Sequence, residues 1–127
     1  MTHLPLVTKE QALWLKEIGF DWPCEHYFWN TEERKGFVRL NHNKLKSHPH
    51  ISRPTIALAL QWLWEAKGVY VSEEIHGNYS APEFGFDVID KNNGELIYSS
   101  EYEYATPQEV KSAGLDAATR YVKERGA

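Results

Sequence analysis

The sequence predicts an α+β fold in a single domain: an antiparallel sheet of three or more strands, with two to three helices packed mainly on one face. Three observations lead there. Segments 55–67 and 107–124 carry helical apolar patterns with terminal signals, and three short strand-like runs lie between them. The turns joining those runs are short enough only for antiparallel neighbours. The chain, 127 residues with 42% hydrophobic and 25% charged, is one ordinary domain that can bury a core without disulfide or metal. The expected organisation is an N-terminal part, 1–53, holding a helix, a hairpin and a basic loop, followed by an α-β-β-β-α core from about residue 54.

Taken in order, Thr8 and Gln11 form a capping box that starts a helix over 9–18. Leu15 and Ile18 lie on its inner face, Leu13 and Trp14 widen it, and Gly19 ends it. Pro23 keeps the next turn out of helix. His26 to Trp29 and Phe37 to Leu40 read as two short strands, with Glu32 to Gly36 as the polar turn between them. Residues 41–53 are polar, broken by Pro49, and read as loop. Pro54 suits the first turn of a second helix over 55–67. That helix is apolar nearly all round, which predicts cover on several sides. Gly68 ends it.

Val69 to Glu73 alternates with strand periodicity, Gly77-Asn78 supplies a turn, and Phe84 to Ile89 is the next strand. Asn92-Asn93-Gly94 signals a hairpin into Leu96 to Ser99, with continuation towards Tyr102. Thr106-Pro107-Gln108-Glu109 is the clearest helix start in the chain, and Val110, Ala113, Ala117, Ala118, Tyr121 and Val122 form its apolar stripe. Five tryptophans predict an aromatic-rich core, with a stacking surface as the functional alternative. The single Cys24 cannot form an internal disulfide, and the start of the chain lacks a signal-peptide pattern. No apolar run is long enough to span a bilayer. The expectation is a cytoplasmic protein, off the membrane.

Three stretches resemble a group of small, uncharacterised bacterial proteins met in phage-like and mobile genetic contexts. They are Leu15-Lys16-Glu17-Ile18-Gly19-Phe20-Asp21 with Pro23-Cys24, then Arg53-Pro54-Thr55 leading into Gln61-Trp62-Leu63-Trp64-Glu65, and the Glu109-to-Val122 helix with Ala113-Gly114-Leu115. The resemblance implies a compact α+β domain of unknown function and supplies no catalytic residue.

The outward-pointing feature is a charge discontinuity. Between residues 34 and 53 stand Arg34, Lys35, Arg39, Lys44, Lys46 and Arg53 with no Asp or Glu, while the whole chain is formally −4. A basic island in an acidic protein is read here as an expected docking surface for an acidic partner, protein or nucleic acid. The aromatics Trp22, Tyr27, Phe28, Trp29 and Phe37 lie close to it in sequence and would supply stacking for bases. The alternative is that the island pairs internally with the acidic remainder, which contributes little stability.

The α-β-β-β-α order is similar to a double-stranded-RNA-binding domain. That family places a basic cluster at the start of its last helix, where Gln108-Glu109-Val110-Lys111-Ser112 has one lysine and one glutamate. Ser52-Arg53-Pro54-Thr55 with Ala59-Leu60, Leu63 and Gly68-Val69 looks like the recognition region of winged-helix repressors, but the helix is too apolar to read bases.

Other chemistry has thinner support. His42, His48 and His50, joined by His26 or Cys24, match no established zinc spacing. Cys24 and His26 share a face if the segment is extended, the minimum for a thiol hydrolase. Glu73 with Glu74, and Glu101 with Glu103, are candidate carboxylate pairs or simply solvated strand faces. No cofactor is expected. The sequence therefore favours a small non-enzymatic binding or accessory protein, with homodimerisation open through a free sheet edge. A hydrolase using Cys24/His26 or a histidine-bound metal is the alternative.

Overall fold

The structure, a computed structural model, describes residues 5–29, 32–35, 43, 50–77 and 80–126. In chain order these form α1 (Lys9–Glu17), β1 (His26–Trp29), β2 (Glu32–Lys35), β3 (His50–Ser52), α2 (Ile56–Trp62), β4 (Val69–His76), β5 (Glu83–Asp90), β6 (Glu95–Ser99) and α3 (Pro107–Glu124). The α+β class is as the sequence predicts. The strands, however, make two antiparallel three-stranded sheets, ordered β2-β1-β3 and β4-β5-β6.

The helices form where their caps predict. Thr8 accepts from the Gln11 amide at 3.2 Å while the Gln11 side chain accepts from the Thr8 amide at 2.9 Å, closing the box. Gln11 then does more: its Nε2 donates to Ser112 Oγ at 3.0 Å and to Asp116 Oδ1 at 2.8 Å, tying α1 to α3. Thr106 caps α3 by accepting from the Glu109 amide at 3.1 Å. Thr55 caps α2, accepting from Leu58, so Pro54 precedes the cap instead of occupying the first turn.

Residues Leu63–Lys67 continue α2 as one wide π turn, closed by Gly68 in the left-handed region at φ 70°. This second helix is not covered on several sides. Ile56, Ala59, Trp62 and Leu63 are buried, while Ala57, Trp64 and Ala66 are exposed. Its surplus apolar face borders a groove described below.

One hydrophobic cluster joins both sheets. Phe28 comes from the first, Val69, Phe86 and Val88 from the second, and Leu15, Trp62, Leu115 and Val122 from the helices between. Helix α3 lies across β4 and β5, and α1 bridges α3 and β3. Gly114 permits the close approach: a Cβ there would stand 2.5 Å from Val71 Cγ1. Of the five tryptophans only Trp62 is a fully buried core residue, edge-on to Phe20 at 5.3 Å. Trp29 and Trp64 are 37% and 40% exposed, so the tryptophan-rich core of the sequence reading is only partly realised.

Three local expectations are corrected. Glu32 to Lys35 is a strand paired with β1, with Trp29 opposite Glu32, and not the turn. An all-polar strand is stable here because it is an edge, with every residue exposed and its charges paired. His50 to Ser52 is a strand against β1, not loop. Strand β4 runs on to His76, beyond the Glu73 end expected. The proposed strand 37–40 lies outside the described residues.

Candidate functional site

The face of the first sheet gathers the residues with outward chemistry. Residues directly opposite in an antiparallel pair share a face. Trp29 opposes His50, and Tyr27 opposes Arg34, so all four side chains stand on one side of β2-β1-β3. The His50 ring lies parallel to Trp29, 7° between planes and 6.3 Å between centroids, and 5.0 Å from Tyr27. The Arg34 guanidinium sits 4.9 Å from the Trp29 ring centre, a cation–π contact. The opposite face turns Phe28 into the core.

The basic island divides. Arg39, Lys44 and Lys46 lie outside the described residues, as do His42 and His48. The other three cations each have a carboxylate. Arg34 pairs with Glu32; Lys35 reaches Glu25 at 2.8 Å; Arg53 reaches Glu33 at 2.6 Å. Arg53 also donates from Nε to the Val7 carbonyl at 2.9 Å and covers Phe28. Arg34, Lys35 and Arg53 therefore do not make a free cationic patch. Residues 36–49 connect β2 to β3, the two strands flanking β1.

The alternatives from the sequence are not assembled. The Cys24 thiol donates to the His26 carbonyl at 3.2 Å, so His26 meets it through its backbone and not its imidazole. Burial pushes the thiol pKa up, against smaller opposing hydrogen bonds from Ser52 and Arg53. A raised pKa is the reverse of what a thiolate nucleophile needs. Among the described residues, no group of three His, Cys, Asp or Glu side chains is placed to hold a metal ion. Glu73 and Glu74 point to opposite faces of β4; Glu73 pairs with Lys111 at 3.3 Å and Glu74 lies 3.4 Å from Ser72 Oγ. Glu101 and Glu103 are both exposed and follow the end of β6.

The most buried ionised carboxylate, Asp90, has a structural role. It accepts from Tyr121 Oη at 2.6 Å and from Arg125 at 3.1 Å, and Arg125 also donates to the Lys67 carbonyl at 2.7 Å. The Tyr121 hydrogen bond, followed by those from the Asn92 amide and Arg125, holds its pKa below the usual carboxylate range despite burial. Asp116 is shifted the other way: burial raises it, against the Gln11 hydrogen bond.

An open groove of about 520 Å³ runs between α2 and β4, lined by Leu60, Trp64, Val71 and Glu73 with Lys111. A second hollow of about 370 Å³, lined by Ile56 and Pro107, shares Ala57 and Lys111 with it. The all-round apolar character of 55–67 was the signal: a helix with more apolar face than its neighbours cover.

Among the described residues no helix is long and apolar enough to cross a membrane. Comparison of the chain with protein-family models, with curated proteins and with solved structures returns no match in any of the three.

Proposed function

We propose that this is a small non-enzymatic binding protein that engages an acidic partner through the first sheet, and that the partner is single-stranded nucleic acid. The observation that carries the reading is the shared face of Tyr27, Trp29, His50 and Arg34. Planar rings with a guanidinium beside them are the components of a base-stacking platform. Arg39, Lys44 and Lys46 belong to the segment that joins β2 to β3, and their charges would serve to meet phosphates. An acidic protein would use the cations but gain little from the rings, which is why nucleic acid is preferred.

Fluorescence anisotropy of labelled single- and double-stranded DNA and RNA, at low and physiological salt, tests this. Single strands should bind more tightly than duplexes, and affinity should fall steeply with salt. Trp29→Ala should weaken single strands and leave duplexes little changed. Lys44→Glu with Lys46→Glu should weaken both. No binding at low salt overturns the nucleic-acid reading and leaves an acidic protein as the partner to seek.

A further inference from the structure

Among the described residues, the β4 edge of the second sheet has no partner strand. The Phe84 amide and carbonyl both bond Tyr104, at 2.9 and 3.1 Å, and the Phe86 carbonyl accepts from Ser100 at 2.9 Å. Even-numbered residues of β5 therefore turn their backbone groups towards the β6 side, and Gly85, Asp87 and Ile89 turn theirs towards Glu74, Ser72 and Tyr70 of β4. It follows that Val71, Glu73 and Ile75 direct their N–H and C=O groups away from the sheet.

Natural edges are blunted by charged side chains, lysine above all, and by proline, bulges or brevity. The edge β2 is four charged residues, and β6 is short with a register shift at its β5 partner. Strand β4 has eight residues with neither Lys nor Pro, and Ile75 on it is 69% exposed. Beside this edge lies the groove formed with α2.

We propose that this edge and groove take an extended peptide segment by strand addition, and that the segment alternates apolar and basic residues. The two faces of the edge dictate the alternation. Side chains pointing to the helix side would enter the groove among Leu60, Trp64 and Val71, where the one charge pair, Glu73 with Lys111, is already balanced. Side chains on the other side would stand beside Ser72 and Glu74, with Asp87 and Glu83 on the strand behind. On that outer face β4 and β5 carry Glu74, Glu83 and Asp87 and no Lys or Arg. A basic residue at each alternate position complements that field, and main-chain hydrogen bonds to Val71, Glu73 and Ile75 supply the register. This surface is separate from the first sheet and does not depend on nucleic-acid binding.

The test is a displayed library of extended peptides whose alternate positions are apolar and whose remaining positions are Lys, Glu or Ser. Selection on the purified full chain should enrich Lys at the variable positions. The best free peptide should bind in a salt-sensitive manner and slow amide exchange at Val71, Glu73 and Ile75. Ile75→Pro removes one outward donor without touching the β5 ladder, and should weaken binding roughly tenfold, the loss of about one backbone hydrogen bond. Circular dichroism checks that this variant folds; if it does not, the wild-type exchange pattern decides alone, protection elsewhere overturning the proposal. Failure to enrich, equal enrichment of Glu and Lys, or binding indifferent to a folded Ile75→Pro also overturns it. So does sedimentation showing that the free protein self-associates and that Ile75→Pro abolishes this, because the edge would then belong to a second copy.

Discussion

The two sheets handle the same ingredients in opposite ways. In the first, each described cation of the basic island is answered by a glutamate, and one face holds aromatic rings. In the second, acidic residues accumulate with no cation on the strands, and one face is sealed by α3. The first sheet gives the core little beyond Phe28 and Ile51, whereas the second gives it Val69, Phe84, Phe86 and Val88. Apolar burial is concentrated in the second sheet, while the first gathers Tyr27, Trp29 and His50 beside Arg34 on one face.

The largest expected effect breaks the second sheet. Phe86→Ala should cost about 3–5 kcal/mol in urea unfolding, the usual range for a buried phenylalanine. Phe28→Ala should cost less, because a sheet held at one side can relax into the space. Native-state hydrogen exchange sharpens the contrast: β5 amides should exchange only through global unfolding, and β1 amides through a smaller opening. Equal opening energies for the two sheets would erase the distinction.

Gly114→Ala comes next. Its Cβ would collide with Val71, so a loss of about 1–3 kcal/mol is expected by thermal or urea melting. A neutral outcome would mean that α3 can lift from β4.

Acid should act on the second sheet through Asp90. A carboxyl whose folded pKa is depressed contributes stability that is present above its unfolded pKa of about 3.9 and is lost as pH falls through the folded value. Asp116, raised by burial, has the opposite sign, so its unfavourable contribution fades as pH falls. Asp90→Asn should flatten the acid limb of the stability curve, and Asp116→Asn should steepen it relative to wild type. The smallest effect belongs to the first sheet: Lys35→Ala should change stability by about 1 kcal/mol or less, because its ion pair with Glu25 is exposed.

What the sequence disclosed follows from how local each signal is. Helix α3 was legible from Thr106 to Glu124 because cap, proline and stripe lie within one segment. The β5–β6 hairpin was legible because Gly94, at φ 72°, marks its turn. Strands β2 and β3 were not: Glu32-Glu33-Arg34-Lys35 has no alternation, and His50-Ile51-Ser52 is defined only by pairing with β1, more than 20 residues earlier. Tyr27 and Trp29 were legible as members of one short strand, but His50 joins them only once β3 is placed. The pairing of Arg53 also needed the fold, since Glu33 and Arg53 meet across 20 positions. The groove beside β4 was half visible, as an over-apolar helix whose missing cover no local pattern identifies.

Gln11 has a consequence for the order in which the chain can mature. The side chain that completes the cap of α1 also bonds Asp116, 105 positions further on. During synthesis α1 leaves the ribosome before α3, so its buried amide lacks these partners until α3 follows. The seating of α1 therefore depends on a contact that only synthesis of α3 can complete.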